Sequence, residues 1–544
     1  MKLFNDNIEK NLRFEIFEVQ SQIEKTESYI AKPSQDLLNS ILSRDSYIDN
    51  LKSNIQRKCF ELAADESNGR VDTLNAVNIV AYNLERIADY CVNIVKQITY
   101  IENAKVLKRY DFSPFFSELI TGVSLVHKAV VSGDVKIAIS ICKLEETVDD
   151  LYAQVLKKAL EELKLGKHPK TLVTIIFIAR YLERMGDSLL NIGEAIISAF
   201  LGEQIKIEQL EVLEKSLIEA ELNPKISELS LQAMGETKSG CRIDLVSSLS
   251  EANAATMTIF KEGQPEKLQQ EKAGVDYWSA LMPGIAPKIY AHRREGDTAA
   301  LLFEYLNGDT FENILVNGAA AEFSKVQAAL KSTLASIWTK TRRDEQKPCN
   351  FVRQIRDRLE NVYTIHPAFS SNDTAFGDLT VPSFGSLLED VENIERDLFS
   401  PFSVLIHGDF NIDNVIYDKQ NGHIRFIDLH RSGHGDYVQD ISVFMISNFR
   451  LQVFDAKVRR RIDQTMCNFY LFSSEQAKAA KDKTFNLRLA LGLARSLITS
   501  TRFVLDKDVA CDMLLRSRYL LEAVAVTKPH QYSRFKIPEG VISA

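Results

Sequence analysis

At 544 residues the chain is too long for one ordinary hydrophobic core, so a multidomain protein is expected. With 45% hydrophobic and 26% charged residues it has the composition of a folded chain, which excludes wholesale disorder. A net charge of −8 argues against a nucleic-acid partner, which would call for a basic stripe. The N-terminal segment MKLFNDNIEKNLRFEIF breaks its apolar residues with charges and has no signal-peptide core. No apolar run approaches the roughly 20 residues of a membrane span. The seven cysteines, at 59, 91, 142, 241, 349, 467 and 511, include no CxxC pair, and an odd number does not suit a disulfide framework. A cytoplasmic protein with reduced thiols, not an integral membrane protein, is expected.

The first two hundred residues contain few Gly or Pro and have helical periodicity. Leu84, Ile87, Cys91, Ile94 and Ile98 recur at three- and four-residue steps, as do Leu182, Met185, Leu189, Ile192 and Ile196. The half is an internal repeat: LERIADYCVNI at 84–94 matches LERMGDSLLNI at 182–192, and Ile48-Asp49-Asn50-Leu51 matches Val148-Asp149-Asp150-Leu151. Each copy reads as three helices. Each places a Glu four residues before an Asp, Glu85 with Asp89 and Glu183 with Asp187. Like charges at that spacing share a helix face and repel by a few tenths of a kcal/mol, a cost a cation would remove. Such oxygen clusters suit Mg²⁺, Ca²⁺ or Mn²⁺, and carboxylates also bind iron or zinc; Asp49 or Asp149 could join from neighbouring helices. The competing reading is a solvated acidic face balanced by Arg86 and Arg184. On these motifs residues 1–205 resemble the PhoU family, regulators of phosphate uptake with two three-helix repeats. The resemblance implies metal binding at Glu85, Asp89, Glu183 and Asp187. A helical connector, 206–224, ends at Asn223-Pro224, where proline stops the helix.

From about residue 225 short apolar segments alternate with Gly, Asn and Asp turns, which reads as strands. ISELSLQAMGETKSGCRIDLVSS is strand, turn, strand, with the turn at Met234-Gly235-Glu236-Thr237-Lys238-Ser239-Gly240. Its glycines would let backbone N–H groups approach phosphate, with Thr237, Lys238 and Ser239 as added donors. ATMTIFKEG is a strand with Lys261 near its end, and Glu266 to Leu281 is a helix containing Glu271. TAALLFEYLNGDTF is a strand that stops at Asn307-Gly308. The remainder is mostly helical.

The exception is HGDFNIDN, His407 to Asn414, between the apolar runs Phe402–Ile406 and His423–Ile427, the second ending at Asp428. Asp409, Asn414 and Asp428 are thereby fixed at the ends of two buried segments. Phosphoryl transfer needs such a set: a carboxylate for the acceptor hydroxyl, and an amide and a second carboxylate to hold Mg²⁺ against the nucleotide phosphates. Further on, Gly435-Asp436 and Asp440 stand in an apolar context. The loop histidines His430 and His434 are separated by Ser432-Gly433, which does not suit a metal-binding helix. Arg431 is placed to approach an anionic substrate.

These segments resemble the aminoglycoside phosphotransferase and choline kinase family, small-molecule kinases of the protein-kinase-like fold. The resemblance implies that Asp409 is the catalytic base, Asn414 and Asp428 are magnesium ligands, and Asp436 and Asp440 brace the loop. It also implies that Gly235 to Gly240 form the phosphate loop and that Lys261 pairs with Glu271 to orient the α- and β-phosphates, Glu266 being the competing partner. The backbone from Glu304 to Leu306 would read the adenine edge at the hinge.

The expected fold class is a multidomain chain: an N-terminal all-α double three-helix bundle, then a C-terminal α+β bilobal protein-kinase-like domain over 225–544. Its small lobe would cover about 225–306 and its large lobe about 307–544. The expected function is phosphoryl transfer from ATP, or GTP, with Mg²⁺, to the hydroxyl of a small molecule, beside a regulatory helical module with its own metal ion. A phosphate-signalling or transporter protein is an expected partner, and homo-oligomerisation is compatible. The alternative is a phosphate-responsive signalling or transport regulator whose kinase-like domain senses nucleotide.

Overall fold

The computed structural model describes residues 6–64, 71–132, 134–203, 205–222, 229–234, 241–248, 256–538 and 540–541. By internal contact the chain divides into two compact units, Met1–Glu262 with Tyr290–Glu295, and Gly263–Ile289 with Gly296–Ala544.

The first unit begins with the helices α1 (Asp6–Ala31), α2 (Gln35–Ala63), α3 (Val71–Ile98), the single turn α4 (Ala104–Leu107), α5 (Ser113–Ser132), α6 (Val135–Leu163) and α7 (Pro169–Leu201). This is the doubled three-helix pattern of the sequence repeat. The starts follow local chemistry: the Ser34 hydroxyl accepts the Leu37 N–H, and the Asp134 carboxylate accepts the Lys136 N–H. The periodic faces are the core. Leu84, Ile87, Cys91 and Ile94, like Leu182, Met185, Leu189 and Ile192, have no exposed surface. Each such large apolar side chain contributes roughly 1.5–3 kcal/mol of burial. Helix α5 is long and apolar enough by length and composition to cross a membrane, a segment the sequence reading passed over. Its buried face packs on α1, α6 and α7, as a core helix does.

Helix α8 (Ile207–Glu219) follows, then the antiparallel strands β1 (Leu229–Ala233), β2 (Arg242–Ser248) and β3 (Thr256–Gly263), with Leu229 opposite Ser248 and Ile243 opposite Lys261. Helix α8 is more than a tether. Gln209 donates to Glu262 at 2.6 Å and accepts from Arg242 at 3.1 Å. Lys215 and Glu219 pair with Glu295 and Arg293 of β4 (Ile289–Glu295) at 2.9 and 3.2 Å. The composition boundary at 225 therefore runs inside this compact unit.

The second unit contains α9 (Pro265–Leu281), β5 (Thr298–Glu304), β6 (Asp309–Thr310), α10 (Phe311–Asn317), α11 (Ala320–Thr341) and α12 (Phe351–Ile365). The short strand β7 (Lys347–Pro348) will pair with a later one. The hairpin β8 (Thr374–Phe376) and β9 (Leu379–Val381) precedes α13 (Phe384–Glu395), and β10 (Phe399–Ser400) pairs with β7. Then come β11 (Val404–Ile406), β12 (Val415–Asp418), β13 (His423–Phe426) and β14 (Gly433–Gly435). Strand β11 pairs with β14, and β12 lies between β13 and β6, all antiparallel. Helices α14 (Val438–Phe449), α15 (Ala456–Ala479), α16 (Phe485–Ser500) and α17 (Lys507–Ala525) complete the unit, with α16 packed against α12, α14 and α17. An all-α N-terminal region and a mixed α+β C-terminal region are thus present.

Candidate functional site

All three residues of β11 are buried, so the chain emerges at His407 from a rigid base. His407 is itself buried, and burial pushes its imidazole pKa down, keeping it neutral. A neutral ring donates from one nitrogen and accepts at the other. Accordingly Nε2 lies 2.9 Å from the Ile427 carbonyl, and Nδ1 accepts the Asp409 N–H at 3.4 Å. Gly408 has φ +84°, and a Cβ there would overlap the carbonyl oxygen of Arg431, so only glycine lets the two loops touch. The N–H groups of His407 and Gly408 both donate to the Asp440 carboxylate, at 2.7 and 2.9 Å. Burial raises the Asp440 pKa to about 7 against the pull of those two donors.

The structure brings Asp409, Asn414 and Asp428 together through this scaffold. Asn414 Nδ2 donates to the main-chain oxygen of Asp409 at 2.9 Å, so Oδ1 is the atom of its amide that could face a cation. The Ile427 N–H donates to the Asn414 carbonyl at 3.1 Å, which ties the residue before Asp428 to the same turn. The Asp409 carboxylate accepts from Asn411 at 2.8 Å and from Arg431 at 3.1 Å. Asp428 sits at φ +60°, ψ +53°, a left-handed conformation a non-glycine residue adopts at a cost of about 1–3 kcal/mol. Its Oδ1 lies 3.1 Å from His430 Nδ1, which orients the carboxylate. An amide oxygen and a carboxylate are hard donors that fit Mg²⁺. Asp436 forms a buried ion pair with Arg488, which also pairs with Asp482. Gly274 of α9 lies against the Leu429 carbonyl, where a Cβ would clash, and Trp278 Nε1 donates to Ser432 Oγ at 2.9 Å. His434 meets Tyr277 Oη at 3.0 Å; it lies in β14 opposite Leu405, and His430 lies in a 3-10 turn over Leu429–Arg431, so neither is the loop residue expected, and each has a protein partner.

Other expected nucleotide contacts fall as follows. Gly235, Thr237, Lys238, Ser239 and Gly240 lie outside the described residues. Lys261 is buried in β3, and Glu271 is buried in α9 whereas Glu266 is exposed. Glu304 ends β5. Although burial raises its pKa, bidentate contact with Arg425 (2.9 and 3.1 Å) and the Lys288 N–H hold it below the usual carboxylate range. The Glu304 N–H donates to the Lys288 carbonyl at 2.9 Å, and the Leu306 side chain is buried.

In the helical repeats the two acidic sets differ. In the second, α6 supplies Glu145 and Asp149 and α7 supplies Asp187, with ligand oxygens all within 4.8 Å of one another. Burial, then Asp149 and Asp187, raises the Glu145 pKa to about 7. Glu183, on the same face, pairs through one oxygen with Arg180, and its buried Oε2 has no hydrogen-bond partner although Arg184 Nε is 3.9 Å away. Arg184 also pairs with Asp187 at 2.9 Å, but it takes only that one of the three convergent carboxylates, so the set still fits a hard cation. In the first repeat Lys52 fills the corresponding space: its Nζ lies 2.6 Å from Asp49 and 2.9 Å from Glu85. Asp89 is coupled to Asp45, and burial raises the pKa of both. The equivalent of Lys52 in the second repeat is Tyr152, with Arg180 over its ring at 5.6 Å. A set already holding an ammonium does not fit a metal ion.

A family model described as the PhoU domain matches residues 16–98 and 118–196, and one described as the phosphotransferase enzyme family matches residues 250–477. The chain joins a PhoU domain to a phosphotransferase-family domain. It is 26% identical over 219 residues to the phosphate-specific transport system accessory protein PhoU homolog of Clostridium acetobutylicum, covering 38% of this chain and 98% of that protein. Among solved structures it is similar to the phosphate transport system regulatory protein PhoU from Streptococcus pneumoniae (20% identity, 37% of this chain, 97% of that one, TM-score 0.35). It is also similar to an ethanolamine kinase from Plasmodium vivax (13% identity, 61% and 93%, TM-score 0.36). Sequence reading of the PhoU domain missed Glu145, Asp45 and Lys52. The signal was available, since Asp45 and Glu145 each stand four residues before the repeated Asp49 and Asp149. In the phosphotransferase-family domain it placed Arg431 towards an anionic substrate but missed Asn411, Arg450 and the more distant Arg358, Arg495 and Arg502.

Proposed function

We propose that the chain transfers the γ-phosphoryl group of ATP to the hydroxyl of a small molecule, and that its PhoU domain is a phosphate-responsive regulatory module holding one divalent cation. The observation that carries the first half is the gathering of Asp409, Asn414 and Asp428 on one buried scaffold, with Asp428 in a strained conformation. Asp409 orients the acceptor hydroxyl and takes its proton. Asn414 Oδ1 and Asp428 hold Mg²⁺, which neutralises phosphate charge. With the Glu304 N–H already committed, the adenine edge is read by the Glu304 carbonyl and the backbone of Leu306. Positioning and charge neutralisation supply most of the acceleration. Incubation of the full chain with Mg-ATP and a panel of alcohols should yield a phosphorylated product. Asp409→Asn should lower its rate by roughly 10²–10⁴-fold. An unchanged rate in that variant would remove Asp409 from the chemistry.

The kinship of the helical half with phosphate-transport accessory proteins favours a second reading, a regulator that senses nucleotide and turns it over little. Tight Mg-ATP binding without product across the panel would support it.

A further inference from the structure

Five arginines converge on the side of Asp409. Arg431 Nη1 lies 3.1 Å from its carboxylate. Arg450 Nη2 donates at 3.2 Å to Asn411, whose own amide donates to Asp409. Arg358 from α12, Arg495 from α16 and Arg502 from the turn after α16 each stand within electrostatic reach of Asp409, and Arg495 is bonded to α14, the helix whose Asp440 holds Gly408. Arg495 is 7% exposed, donates to Ser442 Oγ at 3.3 Å, and has a buried Nε without a hydrogen-bond partner. Arg358 is bonded to the Gln354 carbonyl of its own helix at 3.2 Å, and Arg502 has a second orphaned Nε. Among the described residues, only Arg431 of the five has a carboxylate within ion-pair distance.

Nearby acids do not balance this charge. Asp409 is shared with Arg431, Asp440 is engaged by two backbone amides, and Asp357 is exposed. Burial, then the neighbouring Arg358, pushes the Arg495 pKa down to about 10, and burial followed by Arg431 lowers that of Arg358. A half-buried group of like charges is unfavourable unless an anion completes it. Guanidinium groups match the oxygens of carboxylate and phosphate in bidentate geometry.

We propose that the acceptor is an anion: a hydroxylated small molecule that also carries a phosphate or carboxylate, held by Arg358, Arg431, Arg495 and Arg502 so that its hydroxyl meets Asp409. This rests on the phosphotransferase reading and narrows its substrate class. The test is calorimetric titration of the full chain saturated with Mg-ADP, so that the nucleotide phosphates are already in place. The probes are glycerol 3-phosphate and gluconate, against glycerol and choline. The anionic probes should bind, the neutral and cationic ones at least tenfold more weakly, and Arg358→Gln and Arg502→Gln should each weaken anion binding about tenfold. These two are half-buried, unlike Arg495, and circular dichroism would verify folding. Whichever anionic probe binds more tightly identifies phosphate or carboxylate as the recognised group. Stronger binding of choline or glycerol, absence of anion binding, or binding indifferent to both substitutions would overturn the proposal. Anion binding seen only without Mg-ADP would also overturn it, by assigning the arginines to the nucleotide. Failure of the catalytic reading is separate: it would appear as Asp409-independent turnover while arginine-dependent anion binding persisted.

Discussion

Asp440 illustrates how one side chain can shape the site without being placed to touch substrate. Its carboxylate gathers the N–H groups of His407 and Gly408, which sets the turn carrying Asp409. The folded pKa is raised from 3.8 to about 7. Across that window the folded chain keeps a proton that the unfolded chain has lost, so this group's contribution to stability falls as pH rises from 3.8 to about 7 and levels off above. Asp440→Asn cannot titrate, and its amide NH₂ must face one of the two donors. We expect it to be less stable than the wild type by about 1–3 kcal/mol at low pH, with the gap narrowing as pH rises through the window. Denaturant unfolding of both proteins over a pH series measures this. A constant gap would show that Asp440 titrates alike in the folded and unfolded chains. The family resemblance marked Asp440 as a brace, but gave no indication of which amides it would meet, because those lie 32 and 33 residues away.

At the scale of elements, the segment leading into α14 is held to α16 by a buried charge cluster. Arg488 is fully buried and pairs with Asp436 and Asp482, and Tyr437 Oη donates to Asp482 at 2.6 Å. Removing only the cation leaves two carboxylates without their partner. Arg488→Met should therefore destabilise the chain by about 3–5 kcal/mol, read from its unfolding midpoint. A change below 1 kcal/mol would mean the carboxyls simply protonate. Helix periodicity was legible from sequence alone, as the zero exposure of Leu84, Ile87, Leu182 and Leu189 shows. The buried ion cluster was not: Arg488 lies in a helix whose pattern marks a charged residue as surface.

At the scale of the molecule, the prediction for the helical repeats is tested independently of Asp409. Elemental analysis of the full chain purified with Mn²⁺ should find one tightly held ion at the second acidic set. Glu145→Gln with Asp187→Asn should abolish it, and Glu85→Gln should leave it. Lys52→Ala should raise the content towards two by freeing the carboxylates of the first repeat, and Asp409→Asn should change nothing. Equal loss from Glu85→Gln and Glu145→Gln would contradict the asymmetry between the repeats.

By itself, the sequence determined which segments form helices, that the helical half is duplicated, and that Asp409, Asn414 and Asp428 stand at the ends of two buried segments. Those signals are local: periodicity, internal similarity and fixed spacing act over a few turns or one hairpin. Only the tertiary structure decided that Lys52 fills one acidic set while Glu145 completes the other. It alone gathered Arg358, Arg495 and Arg502 beside Asp409, and it grouped the first three strands with the helical unit. Such decisions depend on side chains from distant segments competing for the same few ångströms, and spacing along the chain does not encode which of them arrives.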